Sequence, residues 1–199
     1  SVRLVWNRLD FDGLFPQRVP IAAVLGDSQC GIVCKWLLCG RNDQSNFWNG
    51  NFGDDECRSL QTEAGAGWLV ESVSWGRGGE VFYALEGNIN YSGALIKWLV
   101  NDLELIQTSR ESGQFAMQVK DTGGVYFVPA FSGLGAPYWD NDARAMICGI
   151  TAATKKAHLV RAAEEAIAYQ IRDITEQLAL CGKTVGLLCV DGGATNDQF

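Results

Sequence analysis

The feature that most constrains the fold is a long amphipathic segment followed closely by a short, wholly apolar one. In residues 157–180, apolar residues recur at spacings of three or four, as on one buried face of a helix: Val160, Ala163, Ile167, Ile171, Ile174 and Leu178. Gly182 lies just past this segment as a stop signal. Residues 185–190 are wholly apolar, which is typical of a strand buried on both faces. A helix that feeds such a strand predicts an α/β domain.

The first third of the chain predicts further strands. Residues 19–25 predict a buried strand, and residues 32–38 predict a helix behind it. Residues 40–67 are rich in Asn, Asp, Gly and Ser and predict turns with a short hairpin. The segments 68–75 and 81–85 predict two strands of a hairpin, joined by Gly76-Arg77-Gly78-Gly79.

Shorter elements fill the middle of the chain. Ser92 is placed to cap a helix with Leu95, Ile96, Leu99, Leu103 and Ile106 on one face. Residues 109–119 predict another short helix, and residues 125–131 predict a buried strand. Hairpins, then a helix and a buried strand, indicate an α/β domain with a mixed sheet and flanking helices.

Composition excludes several classes of function. The 199 residues are 47% hydrophobic and carry a formal net charge of −7, which argues against nucleic-acid binding and a polybasic membrane role. No apolar stretch is long enough to span a bilayer. The seven cysteines are scattered without a CxxC pair, and His158 is the only histidine, so a structural zinc site is not expected. The odd cysteine count fits a reducing compartment, and we expect a cytoplasmic protein.

An idiosyncratic loop follows the strand predicted at residues 125–131. Gly133 and Gly135 allow sharp backbone turns, Pro137 stiffens the chain, and Tyr138 and Trp139 offer rings that can pack over what the loop covers. The sequence from Phe131 to Asp140, FSGLGAPYWD, closely resembles a signature of the FGGY family of carbohydrate kinases, in its glycerol kinase-like members.

The resemblance implies a fold and a division of the chain. FGGY kinases have two domains of the actin-like ATPase (ribonuclease H-like) fold, with the active site between them. Residues 1–25 resemble the tail end of the N-terminal domain, and residues 26–199 resemble a partial C-terminal, nucleotide-side domain. The chain thus resembles a fragment, and we expect no turnover from it alone.

The same resemblance implies an activity. The complete enzyme would transfer the γ-phosphoryl of ATP, with Mg²⁺, to a hydroxyl of glycerol or a related polyol or ketose. The expected partners are ATP and this small-molecule substrate, with no nucleic acid and no membrane. A homo-oligomer is compatible with the sequence.

Asp27 is the candidate catalytic base. It follows a predicted buried strand in Gly26-Asp27-Ser28, and a carboxylate there can accept the proton of an attacking sugar hydroxyl. The family's similar motif implies that role for Asp27 and places Ser28 at the substrate. A single aspartate at a strand end can equally be a turn or helix-capping residue.

Asp191-Gly192-Gly193 follows the last predicted strand, where paired glycines let the backbone approach a ligand. The resemblance implies that Gly192, Gly193 and Asn196 border the nucleotide, although one residue fewer than usual separates the glycines from Asn196. Taken alone, the glycine pair would indicate only a tight turn.

Gly93 is the remaining nucleotide candidate. It follows the family-like segment that begins Ala84-Leu85-Glu86-Gly87 and lies at a predicted helix N-terminus, where exposed amides suit phosphate or ribose oxygens. The alternative is that Gly93 only permits close helix packing. Lys97 stands where relatives often carry glutamine.

One departure supports a different function. Where the family has a threonine-containing phosphate loop, residues 46–55 lack the threonine and include Asp54 and Asp55, which would repel polyphosphate unless a metal intervened. A non-catalytic binding or assembly domain that keeps the kinase scaffold is therefore the alternative.

Overall fold

The computed structural model describes residues 7–8, 20–21, 45–48, 51–52, 69–77, 80–180, 188–190 and 199. Three predicted features lie wholly or mostly outside these residues: the helix at residues 32–38, the stop signal Gly182 and the strand at residues 19–25. Within that last segment, β2 (Pro20–Ile21) pairs antiparallel with β1 (Asn7–Arg8) as a separate two-stranded sheet.

Among the described residues, the main sheet contains five strands, namely β3 (Ser45–Trp48), β4 (Asn51–Phe52), β5 (Val70–Arg77), β6 (Glu80–Asn88) and β9 (Leu188–Val190). They lie in the order β5, β6, β4, β3, β9. The pairing of β9 with β3 is parallel, and the other pairings are antiparallel. This confirms the predicted mixed sheet and the short hairpin predicted within residues 40–67.

The β5–β6 hairpin is confirmed; β5 has the predicted length but lies two residues later than predicted, and β6 is longer than predicted. Gly76 and Arg77 were expected in the turn but belong to β5, where they pair with Val81 and Glu80. At its other end β6 continues to Asn88 and pairs with β4. Pairing satisfies backbone groups whatever the side chain, so the strands extend beyond their apolar residues.

The helix predicted after Ser92 is α1 (Gly93–Asn101), which is shorter than predicted. The Ser92 side chain makes no capping hydrogen bond, so that part of the prediction is wrong. The chain leaves the helix before Glu104, whose φ of +51° is incompatible with a right-handed helix. As a result Leu103 is 40% exposed, whereas Ile106 is buried from the following loop.

The next prediction, a helix at residues 109–119, is a 3₁₀ turn (Ser109–Glu111) that leads into α2 (Ser112–Ala116). The predicted strand at residues 125–131 is only β7 (Tyr126–Val128). It is not buried on both faces, because Tyr126 is half exposed.

Two more elements complete the described fold. A strand that the sequence did not predict, β8 (Met146–Cys148), pairs antiparallel with β7. The long helix α3 (Lys156–Leu180) agrees with its prediction to within one residue. No helix of the described part of the chain is long and apolar enough to cross a membrane.

The core lies along the buried face of α3. One cluster joins α3 to α1 and β7, with the buried residues Leu95, Ile96, Leu99, Ile106, Val125, Phe127, Val160, Ala162, Ala163 and Ala166. A second joins α3 to the end of β6 and to the loop after β7, through Leu69, Ile89, Ala136, Ile174 and Leu178. The predicted apolar face of the long helix is therefore confirmed, with Ile167 and Ile171 partly buried at its edge.

Candidate functional site

Residues 131–140, which we call the signature loop, reverse the chain at Gly133. Gly133 has a φ of +89°, and a β-carbon there would lie 2.7 Å from the carbonyl oxygen of Asp140. The same carbonyl accepts a hydrogen bond from the amide of Leu134 at 2.7 Å. The predicted sharp turn is present, and it requires a residue without a side chain.

The second glycine of the loop permits contact with the end of β6. A β-carbon at Gly135 would overlap the carbonyl oxygen of Asn88. That oxygen accepts a hydrogen bond from the Ala136 amide at 3.1 Å, and the Asn90 side-chain amide donates to the carbonyl of Gly133 at 3.4 Å. The signature loop is therefore attached to the segment that joins β6 to α1.

Phe131 anchors the start of the loop in an aromatic cluster. Its ring centroid lies 4.9 Å from that of Tyr91, 4.7 Å from that of Trp98 and 6.2 Å from that of Phe127. Aromatic pairs in tilted or edge-on arrangements contribute about 0.5–1.5 kcal/mol each beyond their buried area. The cluster joins the loop to α1 and to β7.

Tyr138 and Asp140, at the end of the signature loop, form hydrogen bonds within the protein. The Tyr138 hydroxyl donates a hydrogen bond to the Asp173 carboxylate on α3 at 2.9 Å. Burial, this hydrogen bond and the negative charges of Asp173 and Glu176 raise the pKa of Tyr138, because each disfavours the phenolate. Asp140 accepts hydrogen bonds from the amides of residues 142 and 143 at 2.9 and 3.0 Å. Asp140 therefore acts as a turn residue.

Gly93 begins α1 beside open space. A β-carbon at this position would meet no atom of the described structure within 4 Å. Close packing in the described structure therefore does not require a glycine here. Lys97, one helical turn further on, is exposed. That Gly93 contacts a nucleotide stays a prediction.

The described strands bring the ends of β6 and β9 to one edge of the sheet. Val190 pairs with Phe47, Phe47 with Phe52, and Phe52 with Gly87, so these four residues form one row. Because β9 is parallel to β3, and two antiparallel steps lead from β3 to β6, strands β6 and β9 run in the same direction. Three strand spacings of about 4.8 Å separate their ends by about 14 Å.

Two candidate segments therefore leave the sheet at this edge. Gly93 follows the end of β6, and the Gly192-Gly193 pair follows the end of β9 in the sequence. Apart from Gly93, every predicted site residue lies outside the described part of the chain, namely Asp27, Ser28, Gly192, Gly193 and Asn196.

Two polar side chains of α3 join distant segments to the helix, and the sequence did not single them out. Gln170 donates to the carbonyl oxygen of Tyr91 at 3.2 Å. Arg161 donates to the carbonyl of Val119 at 2.9 Å and pairs with Glu165 at 2.8 Å. The available signal for Gln170 was its spacing, since it lies between Ile167 and Ile174 on the apolar side of the helix.

Comparison with known proteins relates the chain to one family. Residues 22–199 match the model of the C-terminal domain of the FGGY family of carbohydrate kinases. A glycerol kinase of Desulfitobacterium hafniense is 42% identical over 191 residues, which cover 96% of this chain and 38% of the relative. A glycerol kinase of Haloferax volcanii is 41% identical over an alignment 201 residues long, gaps included, which covers 98% of this chain and 38% of that relative. The chain thus spans less than half the length of these relatives.

Solved structures share the fold. The crystal structure of Plasmodium falciparum glycerol kinase with ADP superimposes with a TM-score of 0.71 at 29% identity, covering 90% of this chain and 36% of that one. Xylulose kinase from Rhodospirillum rubrum gives a TM-score of 0.70 at 18% identity, covering 92% of this chain and 36% of that one, a likeness of fold alone. With the match over residues 22–199, the chain belongs to the FGGY family of carbohydrate kinases.

Proposed function

We propose that this chain is the nucleotide-side part of an ATP-dependent carbohydrate or polyol kinase. The enzyme transfers the γ-phosphoryl of Mg-ATP to a hydroxyl of glycerol or of a related polyol or ketose. The observation that carries the proposal is the common edge of β6 and β9, because Gly93 follows one strand and the Gly192-Gly193 pair follows the other in the sequence. Ligands of open α/β sheets bind outside the carboxyl ends of the strands. The glycerol kinase relatives support the substrate class.

The proposal includes the actin-like ATPase (ribonuclease H-like) fold. The mixed five-stranded sheet and the superposition on solved FGGY kinases support it. Residues 26–199 then form a partial C-terminal domain, and residues 1–25 are the tail of the N-terminal domain. The separate pairing of β1 with β2 supports a boundary in this region.

Each candidate residue has a defined part in the reaction. Asp27 accepts the proton of the substrate hydroxyl as that hydroxyl attacks the γ-phosphorus, and Ser28 lies at the same substrate. Gly93, Gly192, Gly193 and Asn196 border the nucleotide, and Mg²⁺ enters with it as Mg-ATP. Closure of the two domains excludes water and so limits ATP hydrolysis.

Nucleotide binding is the first test. Mg-ADP is titrated calorimetrically into the protein and into a chimera. In the chimera, the present chain replaces the matching segment of the Desulfitobacterium hafniense glycerol kinase. We expect saturable binding that Gly93→Gln weakens at least about tenfold, equivalent to about 1.4 kcal/mol. Ala94→Gln is the matched control, because it adds the same side chain at the exposed neighbouring position. Equal binding by both variants would exclude Gly93 from the nucleotide site.

Turnover by the chimera tests the catalytic assignment. Asp27→Asn should lower kcat for glycerol phosphorylation by about 10²–10⁴-fold, because general-base catalysis contributes that much, while Mg-ADP affinity is retained. Unchanged kcat would mean that Asp27 is a turn residue. If the unsubstituted chimera neither binds nucleotide nor turns over, the non-catalytic binding or assembly domain indicated by residues 46–55 is the correct function.

A further inference from the structure

The segment that joins β6 to α1, residues 89–92, is held from two sides. On one side, the Asn88 carbonyl at its start accepts a hydrogen bond from Ala136 of the signature loop at 3.1 Å. On the other, the Tyr91 carbonyl accepts one from the side chain of Gln170 on α3 at 3.2 Å. Ile89 is only 3% exposed and packs in the cluster that includes Ala136. Both ends of the connection are therefore fixed by other parts of the fold.

The N-terminus of α1 has no side-chain cap of its own, so these contacts hold the chain that leads into it. Ser92 occupies the N-cap position, but its side chain makes no capping hydrogen bond, and only its carbonyl accepts from the Leu95 amide at 2.9 Å. A side-chain cap normally fixes the first turn of a helix. The nearest backbone group before Gly93 that is bonded from outside the helix is the Tyr91 carbonyl, two residues away.

Gln170 has enough donors to hold this carbonyl and also to bond to its own helix. Its side-chain amide has two N–H donors, and it bonds both to the carbonyl of Ala166 in α3, at 3.3 Å, and to that of Tyr91. The second bond spans 79 residues of sequence and is partly buried. A partly buried hydrogen bond between distant elements restricts their relative position.

We infer that Gln170 is a positioning residue of the nucleotide site: it sets the direction in which Gly93 and the first amides of α1 face the ligand. The signature loop is its counterpart on the other side of the connection, through Gly135 and Ala136. This inference rests on the proposed function for the ligand and for the place of Gly93 in its site. The geometry itself concerns residues 89–93 and is measurable without nucleotide.

Gln170→Met tests the inference because methionine has a similar length but no donor. Gln170→Lys restores a donor, and Gln177→Met makes the same substitution on a half-buried glutamine of the same helix. Hydrogen–deuterium exchange should quicken in the peptide that covers residues 86–99 in Gln170→Met, but neither in Gln170→Lys nor in Gln177→Met. Unchanged exchange in Gln170→Met would overturn the positioning role.

Nucleotide affinity provides the functional readout. In Gln170→Met the Kd for Mg-ADP should rise about threefold to tenfold, the effect of losing one hydrogen bond, and Gln170→Lys should recover most of it. In the chimera the KM for ATP should rise while the KM for glycerol stays unchanged. Faster exchange with unaltered Kd would refute the link to the nucleotide site. Absence of Mg-ADP binding by the unsubstituted protein and chimera would instead refute the proposed function, and the exchange result would still stand.

Discussion

The contact between Gly87 and Ile174 makes the packing of β6 on α3 open to a quantitative test. A β-carbon at Gly87 would lie 2.9 Å from both Cδ1 and Cγ2 of Ile174, whereas carbon atoms pack best at about 3.5–4.0 Å. Ile174 is fully buried, so its side chain has no solvent-facing space into which it could turn. Gly87→Ala should therefore overpack this part of the core.

The expected change in the free energy of unfolding for Gly87→Ala is the difference between an overpacking cost in the folded state and an entropic gain from the unfolded state. Overpacking costs about 1–3 kcal/mol, and the smaller conformational freedom of the unfolded chain offsets about 0.4–1 kcal/mol. Gly87→Ala should therefore destabilise the protein by about 0–2.6 kcal/mol, with about 1.3 kcal/mol from the midpoints of the two ranges. Ile174→Ala alone should cost about 2–5 kcal/mol, because it leaves a cavity. In the double variant the added methyl lies beside that cavity, so the total loss should be smaller than the sum by about 1–2 kcal/mol.

Urea unfolding followed by tryptophan fluorescence measures these differences. Gly93→Ala combined with Ile174→Ala is the control pair, since a β-carbon at Gly93 touches no described atom, and its effects should add within about 0.5 kcal/mol. Ile174→Val, which removes Cδ1 but keeps Cγ2, should give a smaller coupling with Gly87→Ala than Ile174→Ala does. Additive losses for Gly87→Ala and Ile174→Ala would refute the steric argument.

Two further predictions concern backbone strain and pH. Gly149→Ala should destabilise the protein more than Gly124→Ala in the same urea assay. Both glycines have positive φ values, 78° at Gly149 and 83° at Gly124. A β-carbon at Gly149 would also overlap the carbonyl oxygen of Gly124, whereas one at Gly124 would meet no described atom within 4 Å. Equal losses would mean that left-handed strain alone, about 1–2 kcal/mol, accounts for both. The melting-temperature advantage of wild type over Tyr138→Phe should be constant from neutral pH up to the ordinary tyrosine pKa of 10.0 and shrink as pH rises through the raised pKa, because only the neutral phenol donates to Asp173. An advantage that grows with pH would contradict the raised pKa.

The elements that the sequence predicted best are those whose side chains repeat regularly. The α3 helix was predicted to one residue because a single apolar face is maintained over its whole length. The same rule failed at α1, where Leu103 and Ile106 continue the spacing but the backbone at Glu104 leaves the helix. The β8 strand was missed because its three residues show no alternation, with Met146 exposed and the next two half-buried.

The candidate site was less predictable than the fold, because its geometry depends on contacts between distant residues. The bond from Gln170 to Tyr91 spans 79 positions, and no local pattern encodes it. The common edge of β6 and β9 likewise follows from strand order and register, which no local pattern in the sequence reveals. The role predicted for Asp27 depends on resemblance alone, because an aspartate at a strand end has several ordinary uses.

The signature loop illustrates why a family signature and a catalytic site are separate properties. Gly133 and Gly135 are required because a β-carbon at either position would collide with a backbone carbonyl, that of Asp140 or of Asn88. Asp140 itself is engaged with the amides of the following turn. These constraints preserve the approach of the loop to the end of β6, and they would persist in a relative that had lost its phosphate loop. The signature therefore indicates that the β6–α1 connection is held in place, whereas catalysis has to be tested at Asp27 and at residues 46–55.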